Sequence, residues 1–170
     1  GCGGGEPVRT VLPALLAHAA RLVLDADALN SVAAEPGLQA ALMARAARAR
    51  PTVLTPHPLE AGRLLGTDAA AVQADRLSAA RALASRFGAV VVLKGSGTVL
   101  AAADGAAAIN PTGNGRLASA GTGDVLAGWI GGLWARQRGD GQAAAAAAVF
   151  RHGQAADTAA GAGPLRASDL

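Results

Sequence analysis

The chain has 170 residues, of which 51% are hydrophobic, 16% charged and 2% aromatic, and its formal net charge is +3. A domain of this length buries roughly 70% of the surface that it exposes when unfolded, and the high apolar content excludes a disordered tail. No apolar run approaches the roughly 20 residues of a membrane span, so we expect no membrane partner. The basic residues are dispersed among very few aromatic side chains, which argues against a nucleic-acid partner.

Cysteine and lysine are each present once, and both facts carry information. A single cysteine cannot form an internal disulfide, and with no secretion signal in view we expect a cytoplasmic protein. Lys94 is the one lysine among 15 basic residues, which suggests that a compact ammonium is required at that position. Arg45, Arg48 and Arg50 gather near the end of one predicted helix, where we expect a solvated face.

Short apolar runs alternate with helical patterns along the chain. The predicted strands are 21–24, 52–55, 90–93, 98–100 and 106–110, and the predicted helices are 37–48, 59–65, 72–87, 124–138 and 142–158. Strands that alternate with helices indicate an α/β fold with a mostly parallel sheet. No internal repeat or long linker divides the chain, so we expect residues 1–170 to form a single domain.

Four unusual segments follow predicted strands. They are the acids around Asp25, the turn at His57, the loop at Lys94 and the long loop that ends at Asp124. Because ligands of open α/β sheets gather at the carboxyl ends of the strands, we expect these segments to converge on one rim.

The long loop is the strongest candidate for an anion site. Its glycines allow close backbone approach, and it runs directly into a helix N-terminus, where exposed N–H groups favour a diphosphate. Asp124 lies in the first turn of that helix, where a carboxylate compensates the helix dipole. Alternatively, Asp124 abstracts a proton, which would explain an acid beside the expected phosphate.

The His57 turn is a candidate for substrate contact. His57 lies between two prolines, and Glu60 follows at the spacing of a capping box. Capping and catalysis explain Glu60 equally well, whereas an imidazole fixed on the rim favours a substrate contact. His18 and His152 lie in predicted helices without partners, so we expect both to be structural, and one cysteine with three scattered histidines argues against a zinc site.

Residues 94–98, Lys-Gly-Ser-Gly-Thr, separate two strand-like runs and predict a hairpin. Their glycines fit a tight turn whether or not a ligand binds. Because the lysine follows a strand and does not precede a helix, the segment is not a Walker P-loop.

Taken together, these segments resemble the ADP-dependent (S)-NAD(P)H-hydrate dehydratases, a branch of the ribokinase-like superfamily. The resemblance lies in residues 25–30, 55–60, 94–98 and 110–128, in this order, and spans nearly the whole chain. It implies a ribokinase-like three-layer sandwich, a mostly parallel sheet flanked by helices. The chain is similar to the C-terminal portion of that domain, truncated at the N-terminus before the first strands.

The resemblance also implies a reaction. ADP would phosphorylate the hydroxyl of a hydrated nicotinamide ring, and loss of phosphate would regenerate NADH or NADPH with release of AMP. Asp124 would deprotonate the hydroxyl, while the backbone amides of residues 121–123 would neutralise the transferred phosphoryl group. Mg²⁺ is expected on the phosphates, with Glu60 acting through water. We further expect a homo-oligomer and an NAD(P)H-hydrate epimerase that is fused to the chain or works with it.

The implied contacts fall into two sets. The hydrated dinucleotide would contact Gly3, Gly5, His57, Glu60, Arg63 and Asp124. ADP would contact Lys94, Gly95, Ser96, Gly97, Thr98, Asn114, Gly115, Arg116, Leu117, Ala118, Ser119, Ala120, Gly121, Thr122 and Gly123.

Some positions depart from the family pattern, and two other functions remain open. Arg116 and Ala120 replace glycines of the anion loop, Leu117 replaces a methionine, and Cys2 and Gly4 replace a proline and a leucine near the start. An ATP-dependent ribokinase-like kinase of a small vitamin precursor would share Asp124, although pyrimidine kinases typically have asparagine where His57 stands. A non-catalytic nucleotide-binding domain is the third possibility.

Overall fold

The structure is a computed structural model that describes residues 6–161 and 163–170. The helices are α1 (Glu6–His18), α2 (Ala26–Ala34), α3 (Pro36–Ala47), α4 (Pro58–Leu65), α5 (Ala69–Ala74), α6 (Arg76–Phe87), α7 (Thr122–Ala135) and α8 (Gln142–Thr158). The strands are β1 (Leu22–Leu24), β2 (Thr52–Leu54), β3 (Val90–Leu93), β4 (Val99–Ala101) and β5 (Ala107–Ile109). Within the described residues, no helix has both the length and the apolar character needed to cross a bilayer.

The strands form one sheet in the order β1-β2-β3-β4-β5. β1, β2 and β3 pair in parallel, with Val23 opposite Val53 and Leu54 opposite Val91. β3, β4 and β5 pair antiparallel, because the chain reverses at the predicted hairpin turn and reverses again after β4. The α/β class and the hairpin are confirmed, and the sheet is mixed, parallel on one side of β3 and antiparallel on the other.

Alternating side chains of the strands supply two hydrophobic cores. In β3, Val91 and Leu93 pack into a core with helices α1 to α6, whereas Val90 and Val92 pack on the opposite face with α7 and α8. This period of two is the expected geometry of a strand buried on both faces. The result is the predicted three-layer arrangement of helices, sheet and helices.

Three parts of the secondary structure differ from the sequence prediction. The single helix predicted over 72–87 is wrong, because Asp75 interrupts it: its Oδ1 accepts a hydrogen bond from the Ser78 amide at 2.9 Å and starts α6 as an N-cap. Two helices have no predicted bounds: α2, which begins directly after Asp25, and α1, which contains Pro13 and of which only His18 was predicted to be helical.

Arg45 is buried, which contradicts the expected solvated face. Its side chain is 1% exposed, and its Nη1 donates to the carbonyl oxygens of Leu16 at 2.8 Å and Ala19 at 3.0 Å. Its Nε donates to Thr52 Oγ1 at 2.8 Å. Burial lowers the pKa of the Arg45 guanidinium, with a smaller effect of the nearby charge of Arg50. The guanidinium therefore joins the end of α1 to the start of β2.

We predict that Arg45→Ala lowers the free energy of unfolding by about 2–4 kcal/mol, because it leaves buried carbonyl groups unpaired and opens a cavity. Arg48, near the end of the same helix but exposed, is the matched control, and Arg48→Ala should change stability by less than about 0.5 kcal/mol. Urea denaturation measures both, and equal losses for the two variants would contradict the assignment.

Candidate active site

The carboxyl ends of β1 and β3 meet in an ion pair. Lys94, directly after β3, places its Nζ 2.6 Å from Oδ1 of Asp25, directly after β1, and both side chains are mostly buried. The backbone N–H of Lys94 donates to the Pro56 carbonyl at 2.8 Å, which brings the turn after β2 to the same edge. A Cβ on Gly123, in the first turn of α7, would lie 3.4 Å from Lys94 Nζ. The expected convergence of the four segments is therefore observed.

The backbone changes direction sharply at Asp25. The next residue, Ala26, has φ +46°, in the left-handed region that is costly for a residue with a Cβ. This turn starts α2 while Asp25 remains at the end of β1 and faces Lys94. Local strain of this kind accompanies functional sites when the surrounding structure enforces it.

A cleft of about 340 Å³ opens beside Lys94. We call it the polar cleft because lysine, serine, threonine, asparagine and histidine residues are among those that line it. Of the residues predicted to contact ADP, those that line it are Lys94, Gly95, Ser96, Gly97, Thr98, Asn114, Gly115, Leu117, Ala118 and Gly123. The other residues of that set, Arg116, Ser119, Ala120, Gly121 and Thr122, do not line it. The cleft is also lined by residues that are not among the predicted ADP contacts: Asn110, Thr112, Gly113, Leu126, Val149, His152 and Gly153.

A second cavity, of about 530 Å³, lies next to β1 and α1. Its walls are mainly apolar, with Val8 and Leu12 from α1, and its acidic residues are Asp25 and Asp124. Gly123 lines the polar cleft and Asp124 lines the apolar cavity, so the first turn of α7 separates the two spaces. Asp124 is exposed and lies in the first helical turn, as the sequence predicts.

Hydrogen bonds fix the loop that leads into α7. Thr122 Oγ1 lies 2.7 Å from the Leu117 carbonyl and 2.8 Å from the Ser119 carbonyl. Gly121 precedes the helix with φ +83°, a conformation that glycine adopts without strain. Amides at this N-terminus carry the positive end of the helix dipole, so the turn suits an anion.

His152 of α8 supports the same turn, and the expectation that it has no partner is wrong. Its Nε2 donates to the Thr122 carbonyl at 2.9 Å, and its ring packs edge-on against Trp129 with centroids 6.1 Å apart. Burial lowers the pKa of His152, and the hydrogen bond to Thr122 offsets part of that effect. His152 is therefore a neutral side chain in the wall of the polar cleft.

Arg116 turns its side chain toward the C-terminal segment. The guanidinium donates to the carbonyl oxygens of Gly163 at 2.7 Å, Ala159 at 2.8 Å and Ala160 at 3.1 Å. Asn114 is also held by its surroundings, because its Nδ2 donates to Asp157 Oδ1 at 2.9 Å. Any contact of Arg116 with a nucleotide would therefore involve its backbone.

The His57 turn forms the predicted capping box. His57 Nδ1 accepts from the Glu60 amide at 3.3 Å, and Glu60 Oε2 accepts from the His57 amide at 2.8 Å. Glu60 Oε1 also lies 3.2 Å from His57 Nε2, and the Glu60 side chain is 3% exposed. Arg63 donates to Asn30 Oδ1 at 2.7 Å. Contact of His57, Glu60 and Arg63 with substrate stays a prediction, and Gly3 and Gly5 lie outside the described residues.

The side chains of the site could hold a metal ion only together with oxygen atoms from a bound ligand. In the described part of the chain, no three His, Cys, Asp or Glu residues are grouped as a metal site. Asp25 and Asp124 line the same cavity, and one or two carboxylates with substrate phosphates are the usual environment of Mg²⁺. Both carboxylate oxygens of Glu60 face His57, and contact of Glu60 with Mg²⁺ through water stays a prediction.

A family model described as NAD(P)H-hydrate dehydratase matches residues 1–166. The chain belongs to this family. It is 46% identical over 161 residues to the ADP-dependent (S)-NAD(P)H-hydrate dehydratase of Neisseria meningitidis serogroup B, covering 92% of this chain and 53% of that protein. It is 46% identical over 153 residues to a bifunctional NAD(P)H-hydrate repair enzyme of Moorella thermoacetica, covering 90% and 27%. The chain thus spans about half or less of the length of these relatives.

Solved structures give the same fold. The ADP/ATP-dependent NAD(P)H-hydrate dehydratase from Bacillus subtilis, co-crystallized with ATP/Mg²⁺, superposes with a TM-score of 0.76 at 36% identity, covering 90% of this chain and 51% of that one. A ribokinase-like superfamily protein from Enterococcus faecalis, at 24% identity, superposes with a TM-score of 0.57 and covers 88% of this chain and 58% of that one. The predicted ribokinase-like fold is confirmed.

The lowered pKa of His152 predicts a loss of stability in acid. Below its ordinary pKa of 6.5 the unfolded chain takes up a proton that the buried ring resists, so the free energy of unfolding falls as the pH drops from about 7.5 to 5.5. His152→Gln should reduce this dependence, whereas His18→Gln, at the exposed end of α1, should leave it unchanged. Denaturant titrations across this pH range test the prediction, which an unchanged slope in His152→Gln would contradict.

Proposed function

We propose that the protein carries out ADP-dependent dehydration of (S)-NADHX and (S)-NADPHX, the hydrated forms of NADH and NADPH. The products would be NADH or NADPH, AMP and phosphate. One observation carries this proposal: the N-terminal turn of α7, an anion-binding element, separates a polar cleft from an apolar cavity and holds Asp124 at their boundary.

ADP would occupy the polar cleft, with its terminal phosphoryl group at the first turn of α7. The Gly123 amide and the Lys94 ammonium lie at that end of the cleft, and both favour negative charge. The absence of a side chain at Gly123 lets the ammonium lie close to the backbone. The hairpin turn 94–98, the segment 110–118 and α8 form the remaining walls.

Asp124 would act as the general base. The ring hydroxyl of the substrate would lose its proton to the carboxylate as its oxygen attacks the terminal phosphorus of ADP, and the bond to AMP would break. Phosphate would then leave the ring together with a proton from the neighbouring carbon, which restores the dihydronicotinamide. The α7 amides and Lys94 would stabilise the charge that moves onto the transferred group, and they are already in place before the reaction.

The names of the relatives support this choice of substrates. The protein from Neisseria meningitidis is named an ADP-dependent (S)-NAD(P)H-hydrate dehydratase. The Bacillus subtilis relative was co-crystallized with ATP/Mg²⁺, and we propose that Asp25 helps to hold Mg²⁺ when the nucleotide is bound, while Asp124 accepts the proton. Mg²⁺ would neutralise phosphate charge there. Several relatives are named bifunctional, which supports the expected association with an epimerase.

His57, Glu60 and Arg63 would support the substrate from the neighbouring turn. The His57 side chain is 46% exposed and is oriented by Glu60, so the imidazole has one fixed direction in which to meet a ligand. Gly3 and Gly5 would contact the same dinucleotide. We also propose that the protein is a homo-oligomer. We further propose that it acts in the cytoplasm, which is consistent with a sequence whose one cysteine can form no internal disulfide.

The deciding experiment separates three functions. The purified protein is incubated with (S)-NADHX and either ADP or ATP, and recovery of NADH is followed by its near-ultraviolet absorbance. Recovery that requires a nucleotide supports the dehydratase. A parallel incubation contains ATP and a vitamin precursor; consumption of ATP there, with no recovery of NADH in the first incubation, would indicate a small-molecule kinase. Nucleotide binding without either reaction would indicate a non-catalytic domain.

We predict that Asp124→Asn lowers turnover at least about 10²-fold while ADP still binds, because the variant loses its general base and keeps the anion site. Asp140→Asn is the matched control, since Asp140 stands just before α8 and accepts a hydrogen bond from the Gln142 amide at 3.0 Å, outside both cavities. Unchanged turnover in Asp124→Asn would remove this residue from the mechanism.

Lys94→Ala should weaken ADP binding by about 10-fold or more, because the ammonium that faces the phosphates is lost and Asp25 is left without its partner. Lys94→Arg keeps the charge but adds a planar fork in a confined position, so we expect it to restore affinity only in part. Calorimetric titration with ADP measures both, and wild-type affinity in Lys94→Ala would leave Lys94 with a role in the hairpin alone.

A further inference from the structure

Arg76 occupies a place that helix chemistry does not favour. It is the first residue of α6, whose N-cap is Asp75. The N-terminus of a helix carries a partial positive charge, so a guanidinium at this position is disfavoured by the helix itself. The partial burial of Arg76 adds a desolvation cost, which lowers its pKa. Contacts of Arg76 with residues outside α6 must therefore stabilise it in this position.

Those contacts are made with the hairpin turn that walls the polar cleft. Arg76 Nη2 donates to the carbonyl oxygens of Leu93 at 3.0 Å and Lys94 at 3.2 Å, and Nη1 donates to the Ser96 carbonyl. A guanidinium presents its donors in a rigid planar fork, so one side chain satisfies carbonyl groups on both sides of the bend. Its Nε is buried without a hydrogen-bond partner, so the side chain is held by these terminal nitrogens.

The turn packs closely on the guanidinium. Gly95 has φ +142°, and a Cβ built on it would lie 2.8 Å from Arg76 Nη2. The side of Gly95 where a Cβ would project is thus filled by the guanidinium, while Lys94 directs its ammonium toward Asp25 and Gly123. Arg76 does not line the cleft itself, because it lies behind the turn.

We propose that Arg76 is a positioning residue for nucleotide binding. Arg76 donates hydrogen bonds to the carbonyl groups of residues 93, 94 and 96 and so fixes the conformation of the turn. In this conformation the Lys94 side chain is directed toward the phosphates, and residues 94–98 keep their position as a wall of the cleft. The nature of the ligand, a nucleoside diphosphate, rests on the proposed function, whereas the control of the turn by Arg76 does not.

Arg86 provides a matched control on the same helix. Its Nη1 donates to the Leu64 carbonyl at 2.6 Å and its Nη2 to Gln39 Oε1 at 2.7 Å, and neither partner lines the cleft. Replacing Arg86 therefore removes an arginine of α6 and its hydrogen bond to a carbonyl while leaving the 94–98 turn intact. A general loss of helix stability would affect both variants.

The first test uses hydrogen–deuterium exchange of the chain without nucleotide. Arg76→Met should speed exchange of the amides of residues 94–98 by about 10-fold, since their carbonyl anchors are lost, while Arg86→Met should leave this segment unchanged. Exchange of the 94–98 amides at the wild-type rate in Arg76→Met would overturn the proposal.

The second test measures ADP affinity by calorimetry. Arg76→Met should weaken binding by about 5- to 10-fold, Arg76→Lys should recover part of the loss, and Arg86→Met should bind as the wild type does. In a Lys94→Ala background the effect of Arg76→Met should shrink, because Arg76 acts through the position of Lys94. Wild-type affinity in Arg76→Met would overturn the role in binding, and full additivity of the two substitutions would overturn the action through Lys94.

The two proposals fail in different ways. If the unmodified chain binds no ADP, the proposed function is wrong, and the exchange experiment alone then decides whether Arg76 controls the turn. If the chain binds ADP and Arg76→Met changes neither exchange nor affinity, the proposed function survives and the positioning role is wrong.

Discussion

The ion pair between Lys94 and Asp25 is the interaction on which the site depends. It joins the ends of β1 and β3, which lie on either side of β2 in the sheet, and the two side chains are 13% and 19% exposed for Asp25 and Lys94. At this burial the attraction is stronger than between charges in water. Removing either partner would leave the other as a mostly buried charge without its counter-ion, which is costly. The pair therefore fixes the position of the ammonium only while both strand ends remain in register.

At several places in the structure, arginine side chains hold loops by donating hydrogen bonds to backbone carbonyl groups. Arg45, Arg76 and Arg116 each donate to carbonyl oxygens of chain segments that leave a helix or strand. Arg21 does the same at the end of α7, where its Nη1 lies 2.7 Å from the Trp134 carbonyl. Carbonyl groups in such segments have lost their regular partners, and a planar cation with several donors satisfies them together. The scarcity of lysine in this sequence is consistent with that use, and it leaves the one ammonium for the cleft.

The sequence predicts the local parts of this structure and not the contacts that hold them together. The capping box of His57 and Glu60, the 94–98 hairpin and the start of α7 near Asp124 are encoded by residues a few positions apart, so their patterns can be recognised. The partners of Arg45, Arg76 and His152 lie between about 7 and 30 residues away. No periodicity in the sequence indicates such contacts. The charge of Arg45 therefore led to the prediction that its side chain is exposed to solvent. The motif order indicated the family, but the division into two spaces at α7 depends on the packing of α1 and α8.

In the proposed mechanism, that division would link anion binding to proton transfer. Gly123 and Asp124 are adjacent residues of one helical turn, the first facing the polar cleft and the second the apolar cavity. The turn is held from behind by Thr122, whose carbonyl accepts from His152 and whose hydroxyl bonds to the loop before it. A shift of the turn that moved the amides away from a phosphate would displace the carboxylate by a similar amount. In the proposed mechanism, nucleotide and proton acceptor would therefore have a fixed separation, which is the preorganisation that phosphoryl transfer to a neighbouring hydroxyl requires.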